Sequence, residues 1–262
     1  MDHFGAMILL TKKLMLLTCV EDNEGCKRTL IVLLGDKMYK LLCNLANILE
    51  IISRNIKRQV NTKICNKFLK KYCLCDGITK SKRDIKFNSY EATSIPLIER
   101  LICSDIISYD DTIMDIGCGA GIFLIYLHSR GFTNLIGVEL DRELYNLCKK
   151  NISMYYEKNN CLEEEIRIIQ GNALNLLIPD EVTVFYLFNP FFDEKTYFNW
   201  LCKVKESIDR NRRKIQIVFL FPTISSMGAA RKCKWLTEKK RIICKSVVCY
   251  QCSNYLVYES EV

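Results

Sequence analysis

The chain has 262 residues and a net charge of +8, with 49% apolar residues, 26% charged residues, and few Gly (11) and Pro (4). That composition excludes a disordered chain, a collagen-like repeat and a linker-rich array, and the length predicts one core with an appendage. Fifteen Cys in a chain this long do not make a small secreted disulfide scaffold, so free thiols in a reducing cytoplasm are expected.

The apolar start is broken by Lys12 and Lys13 and lacks both a basic lead-in and a small-residue cleavage site, so no signal peptide is expected. No apolar run is long enough for a transmembrane segment. Residues 8–20 and 29–34 each fit a helix or a strand. From Leu41 to Tyr72 the apolar residues recur at helical spacing (Leu41, Leu45, Ile48, Leu49, Ile52, Ile56), which predicts one or two amphipathic helices. A polar stretch at 77–88, with Lys80, Lys82 and Arg83, reads as a linker. Residues 1–85 hold 16 Lys and Arg against 8 Asp and Glu, whereas residues 86–262 hold 22 of each. The whole charge excess therefore lies in a basic, mainly helical N-terminal region. Through residues 54–83 it suits nucleic acid or another acidic partner, and an anionic membrane surface is a further candidate. The plainer reading is a solvated helical face.

After the linker, strands and helices alternate. Helices are expected at 94–107, 120–129, 142–156 and 194–209, and strands at 112–117, 135–139, 166–170, 182–188 and 215–221. Short, nearly continuous apolar strands separated by amphipathic helices predict an α/β fold with a mostly parallel sheet covered on both faces. The runs 241–249 and 255–259 read as a C-terminal antiparallel hairpin. Domains are thus expected at 1–85 and 86–262.

In such sheets ligands bind beyond the carboxyl ends of the strands. The loop DIGCGAGIF, Asp115 to Phe123, leaves the first strand with Gly117, Cys118, Gly119 and Gly121 in G-x-G-x-G spacing. A nicotinamide fingerprint is G-x-G-x-x-G, and Ile122 stands where its third glycine would fall. Glu139 ends the second strand, 22 residues past Gly117. Asn172 and Ala173 follow the third strand, and FYLFNPFF brings Asn189, Pro190, Phe191 and Phe192 to the end of the fourth.

This arrangement resembles the class I S-adenosylmethionine-dependent methyltransferases, which have a Rossmann-like fold with a seven-stranded sheet. The resemblance implies S-adenosyl-L-methionine as cofactor. Asp115 would lie near the methionine ammonium, and Gly117, Cys118, Gly119 and Gly121 would form the cofactor loop. Glu139 would accept from the ribose hydroxyls, with Asp141 as the alternative or as a helix cap. Asn172 and Ala173 would meet the adenine edge. Asn189-Pro190 is similar to the Asn-Pro-Pro-aromatic motif of amino-group methyltransferases, whose Asn carboxamide and Pro carbonyl hold an amine; here Phe191 replaces the second proline. Phe191 and Phe192 would wall the acceptor. The pattern also resembles an uncharacterised bacterial group with Tyr-Glu-Pro-Thr before the first strand and Asn-Pro-Phe after the fourth. Here that first stretch is Tyr90-Glu91-Ala92-Thr93, which places Tyr90 at the substrate pocket.

The expected activity is therefore methyl transfer, with an amine or amide nitrogen as the candidate acceptor. A non-catalytic Rossmann-like module, binding nucleic acid or a protein through the basic region, is the alternative. Neither His3 nor His128 sits where a catalytic base is needed. Cys73 and Cys75 with Cys249 and Cys252 have zinc-like spacing within each pair, but free or buried thiols are expected and no metal is assigned.

Overall fold

A computed structural model describes residues 25–77, 91–160, 165–242 and 255–261. The chain divides into two units, Met1–Arg58 and Gln59–Val262. The run at 8–20 lies outside the described residues. The run at 29–34 is helical, within α1, Gly25–Tyr72.

In the first unit, Leu41, Leu45, Ile48, Leu49, Ile51, Ile52 and Ile56 are between 47% and 66% exposed. An aliphatic stripe of this length in water is more than scattered surface residues account for. In the second unit, α1 closes with Cys73 in the left-handed region (φ 56°). The Leu74 amide then donates to the Leu69 carbonyl at 2.8 Å and the Cys73 amide to the Lys70 carbonyl at 3.3 Å. This is a Schellman closure with cysteine where glycine is usual. Tyr72 and Leu74 are buried in the core of this unit.

The remaining elements are α2 (Ile95–Ile102), β1 (Ile113–Ile116), α3 (Ile122–Ser129), β2 (Leu135–Glu139), α4 (Arg142–Asn159) and β3 (Ile166–Gln170), followed by β4 (Val184–Leu187), α5 (Glu194–Arg210), β5 (Gln216–Leu220), α6 (Ile224–Lys232), β6 (Leu236–Ile242) and β7 (Tyr255–Ser260). The sheet has seven strands in the order β3-β2-β1-β4-β5-β7-β6. The pairs linking β1 to β5 are parallel, and β7 inserts antiparallel between β5 and β6. The Rossmann-like sheet with its C-terminal antiparallel pair is the fold the sequence predicts.

Alternate side chains of each central strand enter opposite layers. Val184 and Tyr186 of β4, Val218 and Leu220 of β5, and Tyr255 and Val257 of β7 face the layer of α2, α3 and α4. Phe185, Leu187, Ile217, Phe219, Leu256 and Tyr258 face the layer that holds Tyr197, Trp200, Leu201 and Val204 of α5. Both faces are covered, which is why these strands read as continuous apolar runs.

Helix starts are fixed by local hydrogen bonds. The Asp141 side chain accepts from the amides of Glu143 and Leu144, and Asp193 accepts from Thr196. Thr223 and Ser226 form a reciprocal capping box on α6.

Two elements differ from expectation. Helix α6 is not predicted: Ile224 to Lys232 contains Ser225, Ser226 and Gly228 and has no apolar periodicity, and its capping box sets its start. Strand β6 begins at Leu236 rather than Arg241, and its five central residues are all exposed, so the period-2 signal that marks a strand is missing. Residues 243–249 of the predicted run lie outside the described residues.

Candidate active site

Strand order reverses between β1 and β4, and a cavity of about 550 Å³ opens at the carboxyl ends of these strands. Asp115, Gly117, Cys118, Glu139, Asn172, Ala173, Asn189, Pro190 and Phe191 all line it.

The glycine loop is fixed by backbone geometry. Gly117, Gly119 and Gly121 all have positive φ, at 82°, 54° and 78°, which only glycine adopts without cost. Space restricts two of them further. A Cβ on Gly117 would stand 3.2 Å from the Pro190 Cβ, and one on Gly121 would stand 2.5 Å from the Cys148 Sγ. Gly117 thus brings the β1 loop against the β4 loop, while Gly121 lets α4 pack beneath.

Glu139 is 7% exposed, yet both its oxygens are engaged. Its Oε2 accepts from the Gly119 amide and its Oε1 from the Asp141 amide, each at 2.8 Å. Burial pushes its carboxyl above the usual range, opposed by those amides. Asp115, 4% exposed, is pushed well above its ordinary value by burial and then by the charge of Glu139. Among the described residues neither carboxylate is paired with Lys, Arg or His. The Cys118 thiol, hydrogen-bonded to Cys148 and buried, is likewise held well above the usual thiol range.

Asn172 forms an Asx turn, its carboxamide oxygen accepting from the Leu174 amide at 2.9 Å. Asn189 has φ 48° and its Nδ2 donates to the Phe221 carbonyl at 3.2 Å; Phe221 has φ 49°. The ends of β4 and β5 are therefore both in the left-handed region and tied together. Phe191 reaches the cavity wall, but its ring packs on Tyr197 (5.1 Å, 80°) and near Trp200 (6.2 Å). Phe192 is 67% exposed and does not line the cavity. Tyr90 lies outside the described residues.

Sequence reasoning missed a second group of lining residues. Thr93 shares a 2.9 Å hydrogen bond with the Tyr186 hydroxyl, and the Tyr186 ring stacks on Phe123 (3.9 Å, 10°). Thr223 and Glu91 also line the cavity. The signal for Phe123 was its place directly after the glycine loop, and for Tyr186 its place two residues before Phe188 within a strand.

His128 is held by the Tyr155 hydroxyl (2.9 Å) and by Glu165 (2.7 Å), away from the cavity lining. Cys73 and Cys75 are exposed, and Cys249 and Cys252 lie outside the described residues. Among the described residues no three metal-ligating side chains cluster, and no helix is long and apolar enough to cross a membrane.

The cavity fits S-adenosylmethionine on two grounds of its own. Its volume is in the range of small-molecule sites, and among the described residues its two buried carboxylates have no Lys, Arg or His beside them, which suits one to an ammonium and the other to hydroxyl donors.

Residues 113–208 match a family model described as a methyltransferase domain. Among solved structures, the chain is similar to an RNA methyltransferase from Salinibacter ruber in complex with S-adenosyl-L-homocysteine (18% identity, TM-score 0.44), covering 65% of this chain and 92% of that one. It is also similar to a putative tRNA (m1A22) methyltransferase from Streptococcus pneumoniae (17%, 0.48), covering 64% and 71%. A third is a human methyltransferase 10 domain containing protein (16%, 0.45), covering 78% and 97%. The matched stretch contains the glycine loop, Glu139 and Asn189.

Proposed function

We propose that this crevice transfers a methyl group to an amine or amide nitrogen held by Asn189 and Pro190. One observation carries the reading: Pro190 sits directly against Gly117, so the acceptor loop and the cofactor loop touch. Methyl transfer needs its two reactants in line at close range, and this contact supplies that proximity.

The cofactor, when bound, supplies an already activated methyl group on a sulfonium. The remaining lone pairs of Glu139 accept from two ribose hydroxyls, while its bonds to Gly119 and Asp141 hold the carboxylate still. Asp115 balances the ammonium. The backbone of Gly117, Cys118, Gly119 and Gly121 lets the methionine portion approach closely. Because the Asn172 oxygen is committed to Leu174, its Nδ2 and the Ala173 amide are the donors for the adenine edge. The bond from Asn189 Nδ2 to Phe221 fixes the carboxamide at the cavity wall, where its oxygen and the Pro190 carbonyl would turn to the acceptor N–H. Phe191 backs this wall from the core, Thr93 and Tyr186 close the far side, and Phe192 and Tyr90 are candidates for the rim. An amine attacks with its own lone pair and releases its proton to solvent after the transfer, so no side chain is needed as a base; an amide nitrogen, its lone pair delocalised, must lose its proton as it attacks.

The acceptor class is tested with labelled cofactor on a cell extract separated into RNA, protein and small molecules. Label is expected in one fraction, and Asn189→Ala should reduce it roughly 100-fold with S-adenosylhomocysteine binding retained. Unchanged labelling would remove Asn189 from the mechanism, and no labelling in any fraction would favour a non-catalytic module. For a nucleic-acid or acidic partner, the exposed Lys57, Arg58, Lys63, Lys67, Lys70 and Lys71 are the contact we propose, with affinity falling steeply as salt rises.

A further inference from the structure

Asn151 lies in the middle of α4, is 1% exposed, and is absent from the cavity lining. Its side chain is nonetheless the most heavily committed polar group beside the glycine loop. Nδ2 donates to the Cys75 carbonyl at 2.8 Å and to the Ala120 carbonyl at 2.9 Å, and Oδ1 accepts from the Cys75 amide at 3.1 Å. One side chain thus closes a two-way bond with the segment after α1 and uses its last proton on the cofactor loop.

Both segments need an outside anchor. Ala120 is flanked by Gly119 and Gly121, each with positive φ, so the loop has little backbone stiffness of its own. Cys73 holds a left-handed conformation (φ 56°) that is strained for an L-residue. A second tie from the same helix supports it: Lys158 donates to the Lys71 carbonyl at 3.1 Å and to the Cys73 sulfur at 2.8 Å. Tyr72 packs edge-on against Tyr155, also of α4, at 5.0 Å. Helix α4 therefore grips the end of α1 and the segment after it at three places, and the Asn151 side chain ties that grip by hydrogen bond to the glycine loop, beside the packing of Cys148 under Gly121.

We propose that Asn151 is a positioning residue for the cofactor, acting through Ala120, and that the segment from Tyr72 to Cys75 is part of the cofactor site's support. The proposal rests on the cofactor reading above. The Asn carboxamide meets all three bonds: it has the two donors that two carbonyls require and the acceptor that the Cys75 amide requires. Loss of the side chain strands three buried or part-buried backbone groups at once.

The test measures S-adenosylhomocysteine binding and amide hydrogen exchange on the full chain. Asn151→Ala should weaken binding about tenfold and speed exchange at Gly119, Gly121 and Cys75. Asn151→Asp, which keeps volume and the acceptor but loses both donors, should do the same, and serves if the alanine variant folds poorly. Val204→Ala, in the opposite core layer, should lower stability yet leave affinity within twofold, which separates positioning from general destabilisation. Affinity within twofold of wild type in both Asn151 variants overturns the proposal, as does unchanged exchange at the loop. If wild type binds no S-adenosylhomocysteine, the cofactor reading fails, and with it the positioning role. The exchange data then show whether the clamp itself is real.

Discussion

The two ends of α1 carry apolar residues at similar spacing and stand in opposite situations. Leu41 to Ile56 present an aliphatic stripe to water, whereas Phe68 and Tyr72 form an aromatic chain with Tyr126 and Tyr155, with ring centroids 4.8–5.0 Å apart. Periodicity marks a face of a helix and says nothing of what covers it. At the Tyr72 end the covering element is α4, held by side-chain bonds to backbone as well as by packing. At the Leu41 end nothing among the described residues brings those side chains to burial.

The largest effect expected from this contrast is on stability. Tyr72→Ala removes a ring 5% exposed from between two others and should cost about 3–5 kcal/mol in urea unfolding. A loss below about 1 kcal/mol would mean that the end of α1 is not integral to the second unit.

The next effect is on pH dependence. The folded-state carboxyls of Asp115 and Glu139 are both raised, so the stability they contribute is fully present below their unfolded values of 3.8 and 4.5. It is lost as pH rises through the higher folded values. A bound cation reverses this by favouring the ionised forms, so binding releases protons and strengthens as pH rises. Melting temperature against pH should therefore fall through that window without cofactor and fall less with S-adenosylmethionine. Asp115→Asn should flatten the cofactor-free curve and weaken the cofactor's protection. Parallel curves with and without cofactor would sink this linkage.

The smallest effect is expected at the other end of α1. Ile48→Ala and Ile52→Ala should each change the unfolding free energy of the second unit by less than about 0.5 kcal/mol. A loss comparable to that of Tyr72→Ala would erase the contrast and show that the stripe is covered in solution.

Much of the body was legible because its central strands are buried on both faces. β2 and β3 have the predicted limits, and α4 starts at the predicted residue because Asp141 caps it. The unread parts have physical causes. Helix α6 rests on the Thr223–Ser226 capping box, which helical periodicity does not register. Strand β6 is an edge whose exposed Thr237 to Arg241 hide its alternation.

The site divides in the same way. Asp115, Gly117, Cys118 and Glu139 reach the cavity lining because each sits at or next to a strand end fixed by the sheet. Phe192 was expected to wall the acceptor, but the chain turns at Asn189 and Pro190 and leaves it in solvent. Thr93 reaches the cavity only because the segment before α2 crosses to Tyr186, a contact between residues 93 positions apart. Asn151 reads as one polar residue in an amphipathic helix, and only the fold brings it to Ala120.

The central claim is that Asp115 to Gly121 together with Glu139 form the cofactor site. Isothermal titration of the full chain with S-adenosylhomocysteine, in wild type and Glu139→Ala, tests it most directly. The account predicts one site per chain in wild type and at least tenfold weaker binding in the variant, from loss of the ribose contacts and of the Gly119 anchor. Absence of binding in wild type, or equal affinity in the two proteins, would contradict it.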